Sequence, residues 1–148
     1  MKDFKGKKVL VTGGGSGIGE AMAYQYAMKG ADVILTGRNT ASLETVRNKC
    51  MKYGVKAYCH AVDMEKQETI DALVNWIYTE GHEIDFLLLN AGISQRSLTL
   101  ETDMSVDRRL MEVNYFGGIY LVKSLKDMFL KRGVHIAVVS SVSGVFGF

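Results

Sequence analysis

"VTGGGSGIGE", residues 11–20, places five glycines in ten positions, directly after the short apolar run "KKVLVT" (7–12) and directly before a segment with helical spacing. Glycine at that density clears side chains from a place where something comes close to the backbone. A helix N-terminus presents unpaired N–H groups and the positive end of the helix dipole, so a diphosphate can dock there if no side chain blocks it. The literal dinucleotide pattern GxGxxG is absent. What stands here is Thr12-Gly13-x-x-x-Gly17-x-Gly19, a longer loop that serves the same purpose, and Gly13, Gly15, Ser16, Gly17, Ile18 and Gly19 are the phosphate-side candidates. The competing reading is a merely flexible strand-to-helix turn, against which the strand and helix on either side speak.

Working outward, the chain alternates. Ile18, Met22, Tyr26 and Ala27 fall on one helical face, and Gly30 stops that helix as a C-terminal cap would. "ADVILT" (31–36) reads as a second strand, 42–53 as a second helix and 55–62 as a third strand. A helix over 65–80 follows, then "IDFLLLN" (84–90), which is apolar on both faces and therefore central in a sheet. A long helix over 103–131 and a fifth strand, "VHIAVVSS" (134–141), complete the pattern. This βαβαβαβαβ order with short connections implies a parallel, doubly wound α/β sheet of Rossmann type with helices on both faces, formed by one domain over 1–148. No linker, repeat or low-complexity segment interrupts it.

Composition excludes other classes. With 47% hydrophobic and 23% charged residues the 148-residue chain is globular. Its net charge of +2 creates no field that calls for nucleic acid. No apolar run approaches the ~20 residues of a membrane span, and no room precedes Lys7 for a signal peptide, so a cytoplasmic protein is expected. Cys50 and Cys59 read as reduced core thiols, and His60, His82 and His135 as isolated structural residues, with no metal site among them.

The unusual residues all fall at the carboxyl ends of the expected strands, where ligands of such sheets bind. With Thr12-Gly13-x-x-x-Gly17-x-Gly19 in place, the sequence resembles the short-chain dehydrogenase/reductase family along its whole length. Asp63, followed by Met64, matches the family's adenine-binding aspartate; a plain helix N-cap is the alternative or additional role. "LNAG" (89–92) is similar to the family's Asn-Asn-Ala-Gly motif with leucine for the first asparagine, and would pass Asn90, Ala91 and Gly92 close to the cofactor ribose. "MEVNYFG" (111–117) matches the segment of the catalytic asparagine, here Asn114, and "VVSSVSG" (138–144) the strand end of the catalytic serine, here Ser141, with Ser140 and Ser143 as second choices.

The second strand ends in Thr36-Gly37-Arg38-Asn39, without the acid that binds a ribose 2′-hydroxyl; Asp32 lies at the other end of that strand. Arg38 offers planar donors for a 2′-phosphate, which points to NADP(H), unless it is a solvated surface arginine. Asn114 and Gly117-Gly118 lower helix propensity within an otherwise apolar helix. The resemblance implies a locally opened helix whose carbonyl and asparagine hold a water in a proton relay; tight packing on the sheet is the other account. It further implies hydride transfer between NADP(H) and an alcohol or carbonyl substrate, with Ser141 bonded to the carbonyl oxygen, and a homodimer or homotetramer paired through the apolar stripe of 104–131. The family's Tyr-x-x-x-Lys pair is expected about a dozen residues past the serine, beyond Phe148, and Tyr53, Tyr58 and Tyr115 have no lysine four residues on. The chain is therefore expected to be the first part of a longer one, active only with that pair; a catalytically inactive nucleotide-binding fragment or pseudoenzyme is the alternative.

Overall fold

Val9, Leu10 and Val11 are all buried in Lys8–Thr12 (β1), because this strand runs through the middle of the sheet. The computed structural model of the chain describes residues 3–142. Within them Asp32–Gly37 (β2), Ala57–Ala61 (β3), Phe86–Leu89 (β4) and His135–Val138 (β5) join β1 in one parallel sheet of order β3-β2-β1-β4-β5. Leu10 sits opposite Ile34 on one side and Leu87 on the other. The shared register sends alternate residues of every strand to the same layer.

Gly17–Met28 (α1) and Thr40–Met51 (α2) cover one face, burying Ala23, Ala27, Leu43 and Val46 with Val9, Val11, Val33, Leu35 and Leu88. Gln67–Thr79 (α3) covers the other with Ile70, Leu73 and Ile77 against Leu10, Ile34 and Leu87. Met104–Met111 (α4), Gly117–Ser124 (α5) and Lys126–Arg132 (α6) follow, and Leu121 and Leu125 add to that second core. The chain builds β1, β2 and β3 to one side and returns to the far side of β1 for β4. A crevice therefore opens at the carboxyl ends of β1 and β4.

Local signals explain several ends. Gly30, at φ +89°, closes α1 with its N–H on the Ala27 carbonyl and the Ala31 N–H on the Tyr26 carbonyl, a Schellman motif. Asn39 caps α2, its Oδ1 accepting from the Ser42 N–H at 3.0 Å.

Three expectations are corrected. The buried face of α1 is Gly19, Ala23 and Ala27, not the face through Ile18, which is 60% exposed. Apolar residues surround this helix, and the smallest ones turn inward because only they let it lie close to the strands. The helix expected over 103–131 is three helices. A π-helical segment, Glu112–Phe116, joins α4 to α5, and Leu125 leaves helical geometry before α6. The fifth strand is short, His135–Val138, and all four of its residues are exposed at the sheet edge.

The amino ends of the strands form a closed polar rim. Asp85 accepts from the Lys8 backbone N–H at 2.9 Å, from Lys7 Nζ at 3.1 Å and from Arg132 at 3.1 Å. Asp32 accepts from the Lys56 N–H at 2.8 Å. His82, 5% exposed, receives Lys8 Nζ on its Nδ1 at 3.0 Å and packs against the rings of Tyr58 and Trp76, and His60 packs against Trp76 as well. The histidines 60 and 82 are thus not isolated but share one aromatic cluster, and His135 stacks on Phe86.

Candidate functional site

Thr12 ends β1 fully buried, and its hydroxyl organises the crevice. Oγ1 accepts from the Asn90 N–H at 2.9 Å and the Ala91 N–H at 3.0 Å while donating to the Leu88 carbonyl at 3.3 Å. Asn90 answers from the other strand: its Nδ2 donates to the carbonyls of Thr12 and Gly13 at 3.1 and 3.2 Å. The carboxyl ends of β1 and β4 are thereby stitched together. Thr12 heads the glycine motif but is not among the site candidates; a hydroxyl at the end of a buried strand was the available signal.

The glycine turn divides into two kinds of residue. Gly13, at φ +66°, lies so close to Ala91 and Asn90 that a Cβ would sit 3.0 Å from both. A Cβ on Gly19 would run into the Gly13 carbonyl and Asn90 Nδ2, so Gly19 lets the turn fold back on the first turn of α1. These glycines serve the turn itself. Gly17 differs: its φ of +56° needs glycine, yet open space surrounds it, and Ser16 and Ile18 beside it are exposed. Ser16 and Ile18 on either side of it line, with Gly13 and Gly15, a cleft of about 1020 Å³.

Around the same cleft stand Arg38 and Asn39, then Asp63 and Met64, then Asn90, Ala91 and Gly92. Ten of the twelve expected cofactor residues line it; of the other two, Gly17 belongs to the glycine turn and Gly19 is buried in the first turn of α1. Thr40, Ser42 and Leu43 at the start of α2, with Ile93, Val113 and Val139, were not expected. Arg38 is exposed and makes no ion pair with the described residues. Asp63 is not the N-cap of α3, which starts at Gln67; its carboxylate accepts from the Glu65 N–H at 3.2 Å and shapes the loop before the helix.

Asn114 lies in the π-helical segment, where the Gly117 N–H reaches back five residues to the Glu112 carbonyl. Such a turn opens the α ladder by one residue. The Asn114 amide pairs with one residue beyond β4, Oδ1 accepting from the Ile93 N–H at 2.8 Å and Nδ2 donating to its carbonyl at 2.9 Å. Val139, bonded to the Leu89 carbonyl, continues the wall past β5. Ser140 and the exposed Ser141 follow it, while Ser143 lies outside the described residues. Cys50 and Cys59 have thiols pushed up to about 11 by burial, which suits packing and not nucleophilic work. No group of three His, Cys, Asp or Glu that could hold a metal occurs among the described residues.

A family model described as short chain dehydrogenase matches residues 7–148. The chain belongs to the short-chain dehydrogenase/reductase family. It is 38% identical over 146 residues to a dehydrogenase/reductase SDR family protein 7-like of Drosophila melanogaster, covering 95% of this chain and 45% of that protein. Among solved structures it resembles an NAD+-bound xylitol dehydrogenase, with a TM-score of 0.92, 28% identity and coverage of 99% of this chain and 57% of that one. The L-sorbose reductase of Gluconobacter frateurii, complexed with NADPH and L-sorbose, gives 0.91 and 28%, covering 97% and 55%. This short-chain dehydrogenase/reductase chain spans about half the length of the curated relatives it matches. Relatives of equal likeness bind either nicotinamide dinucleotide. No helix among the described residues is long and apolar enough to cross a membrane.

Proposed function

We propose that the cleft binds NADP(H) and serves hydride transfer to or from a small alcohol or carbonyl compound. The observation that carries this reading is that one cleft is lined by Arg38 with Asn39, Thr40 and Ser42, by residues of the glycine turn, and by Ile93, the residue to which the π-helical Asn114 is clamped. The turn and the N-terminus of α1 fit a diphosphate, because Gly17 leaves free space where any side chain would stand. Arg38 supplies a planar set of donors for a 2′-phosphate, and no carboxylate follows β2 to receive a 2′-hydroxyl. Asp63 and Met64 form the adenine wall, and Ala91 and Gly92 the ribose wall.

The nicotinamide, when bound, supplies the redox chemistry. The chain positions. Asn114 spends its amide on Ile93, so the opened backbone of the π segment is what remains to hold a water for proton passage, and Ser141 would donate to the substrate oxygen. The exposed Met104, Met111, Tyr115, Phe116 and Ile119 suit pairing of this helix with a second copy, as a dimer or tetramer. A catalytically inactive nucleotide binder would need the same cleft; the dehydrogenases and reductases among the relatives favour turnover.

Titration of NADP and NAD against Arg38→Ala tests the reading. Loss of one or two charged hydrogen bonds, about 1.5–3 kcal/mol, weakens NADP roughly ten- to a hundredfold and leaves NAD unchanged. Equal loss for both removes Arg38 as the discriminator.

A further inference from the structure

Gly117 is the first residue of α5 and is buried, and the reason it is glycine lies across the cleft wall rather than in its own helix. A Cβ built on it would run into the Met64 carbonyl oxygen and come within 3.1 Å of the Met64 carbonyl carbon and Cβ. Its neighbour Gly118 is different: a Cβ there would meet only Leu89 methyls, at 3.5 and 3.7 Å, an ordinary contact. Helix propensity favours alanine at both positions to the same degree. Only Gly117 is required by what it touches.

What it touches is the loop between β3 and α3, which carries Asp63 and Met64. A second link joins the same loop to the same helical run: Arg109 on α4 donates from Nε to Glu65 at 2.9 Å. Between the two, Val113 packs in one buried cluster with Val62 and Met64. The same run also presents Asn114 to Ile93. One π-interrupted helix therefore grips the Asp63–Met64 side of the cleft with Arg109, Val113 and Gly117, and the Ile93 side with Asn114.

We infer that Gly117, seconded by Arg109, is a positioning residue: it sets how far the Asp63–Met64 loop stands from the helix that carries Asn114, and so sets the adenine end of the site from the catalytic end. This rests on the nucleotide reading of the cleft given above. A methyl group at 117 must push one partner away. The helix is held by the buried Leu121 and Leu125 and by the Asn114 clamp, whereas the loop is a short connection, so the loop yields.

Separate titrations of the chain with AMP and with nicotinamide mononucleotide test this. Gly117→Ala should weaken AMP about tenfold, the scale of one hydrogen bond put out of reach on the displaced loop, with nicotinamide mononucleotide changed less than about twofold. Gly118→Ala should match the unaltered chain for both probes. Arg109→Gln, which removes only a half-exposed ion pair and leaves the core intact, should weaken AMP by about two- to threefold. A folded Gly117→Ala protein with unaltered AMP affinity overturns the inference and leaves the nucleotide reading in place. Equal loss of both probes shows general damage and also overturns it. If Gly117→Ala does not fold, unaltered AMP binding by Arg109→Gln overturns it instead. An unaltered chain that binds neither AMP nor the dinucleotide removes the nucleotide reading and this inference with it.

Discussion

The two rims of the sheet use polar residues in opposite ways. At the amino rim Lys7, Lys8, Asp32, His82, Glu83, Asp85 and Arg132 are fully charged or titratable types, and nearly all are spent on one another or on backbone N–H groups. At the carboxyl rim the groups are small and mostly uncharged: glycines, Thr12, Asn90, Asn114 and hydroxyls, with Arg38 left unpaired among the described residues. One rim closes on itself. The other spends its amides and hydroxyls holding a shape and leaves a cleft, which is what a binding site for a polar ligand requires.

The sharpest way to break this contrast is to fill the shape-holding glycines. Gly19→Val drives a branched side chain into the Gly13 carbonyl and Asn90, and should cost roughly 2–4 kcal/mol of stability together with all dinucleotide binding. Urea unfolding followed by titration measures both. Gly17→Val, in open space but at positive φ, should abolish binding with a smaller loss, about 1–2 kcal/mol. Equal stability of the two variants would erase the distinction between turn-holding and ligand-facing glycines.

A smaller effect follows at Thr12. Thr12→Val keeps the shape but strands the N–H groups of Asn90 and Ala91, so stability should fall by about 1–3 kcal/mol. Unchanged urea midpoints would show that the stitch contributes nothing.

The smallest effect separates the rims by pH. Burial, then the Lys8 charge, lowers the His82 pKa below 6.5. Lys8 Nζ can only donate, so Nδ1 accepts and the proton rests on Nε2, which is buried without a hydrogen-bond partner among the described residues. A base with a lowered folded pKa binds fewer protons folded than unfolded. Its contribution is therefore complete above pH 6.5 and is lost as pH falls through the lower folded value. Asp85 acts further down: burial raises its pKa, but the Lys8 N–H, Lys7 and Arg132 outweigh that and hold it below 3.8, so its contribution is lost in stronger acid. His82→Phe should flatten the stability profile as pH falls below 6.5 while Thr12→Val leaves its slope alone. Identical slopes in the unaltered chain and His82→Phe would refute the amino-rim account.

Much of this was legible in the residues. The succession of strands and helices along the chain followed from β-branched runs and glycine stops, and Gly30 marked the end of α1. The cleft wall followed from residues at strand ends, since the parallel topology gathers those ends at one edge. What escaped reading has physical causes. Apolar residues encircle α1, so periodicity could not choose the small Gly19-Ala23-Ala27 face over the one through Ile18. The opening at Glu112–Phe116 falls where Asn114 and Gly117-Gly118 had lowered helix propensity, whereas the break at Leu125 carries no glycine, proline or polar signal to mark it. Asp63 resembles an N-cap in spacing but bonds one turn too early. The histidine cluster forms only when β3, α3 and the loop before β4 meet.

The stitch between Thr12 and Asn90 spans 78 residues of chain. The glycine turn is made before the fourth strand, yet its geometry is completed by an amide from that strand. Closing so long a loop is slow, and contacts of that separation come late in folding. The cradle is thus a finishing event, absent from a chain that has ordered only its first three strands. A ligand that recognises the finished cradle acts on the exit from the native state and not on the entrance to it.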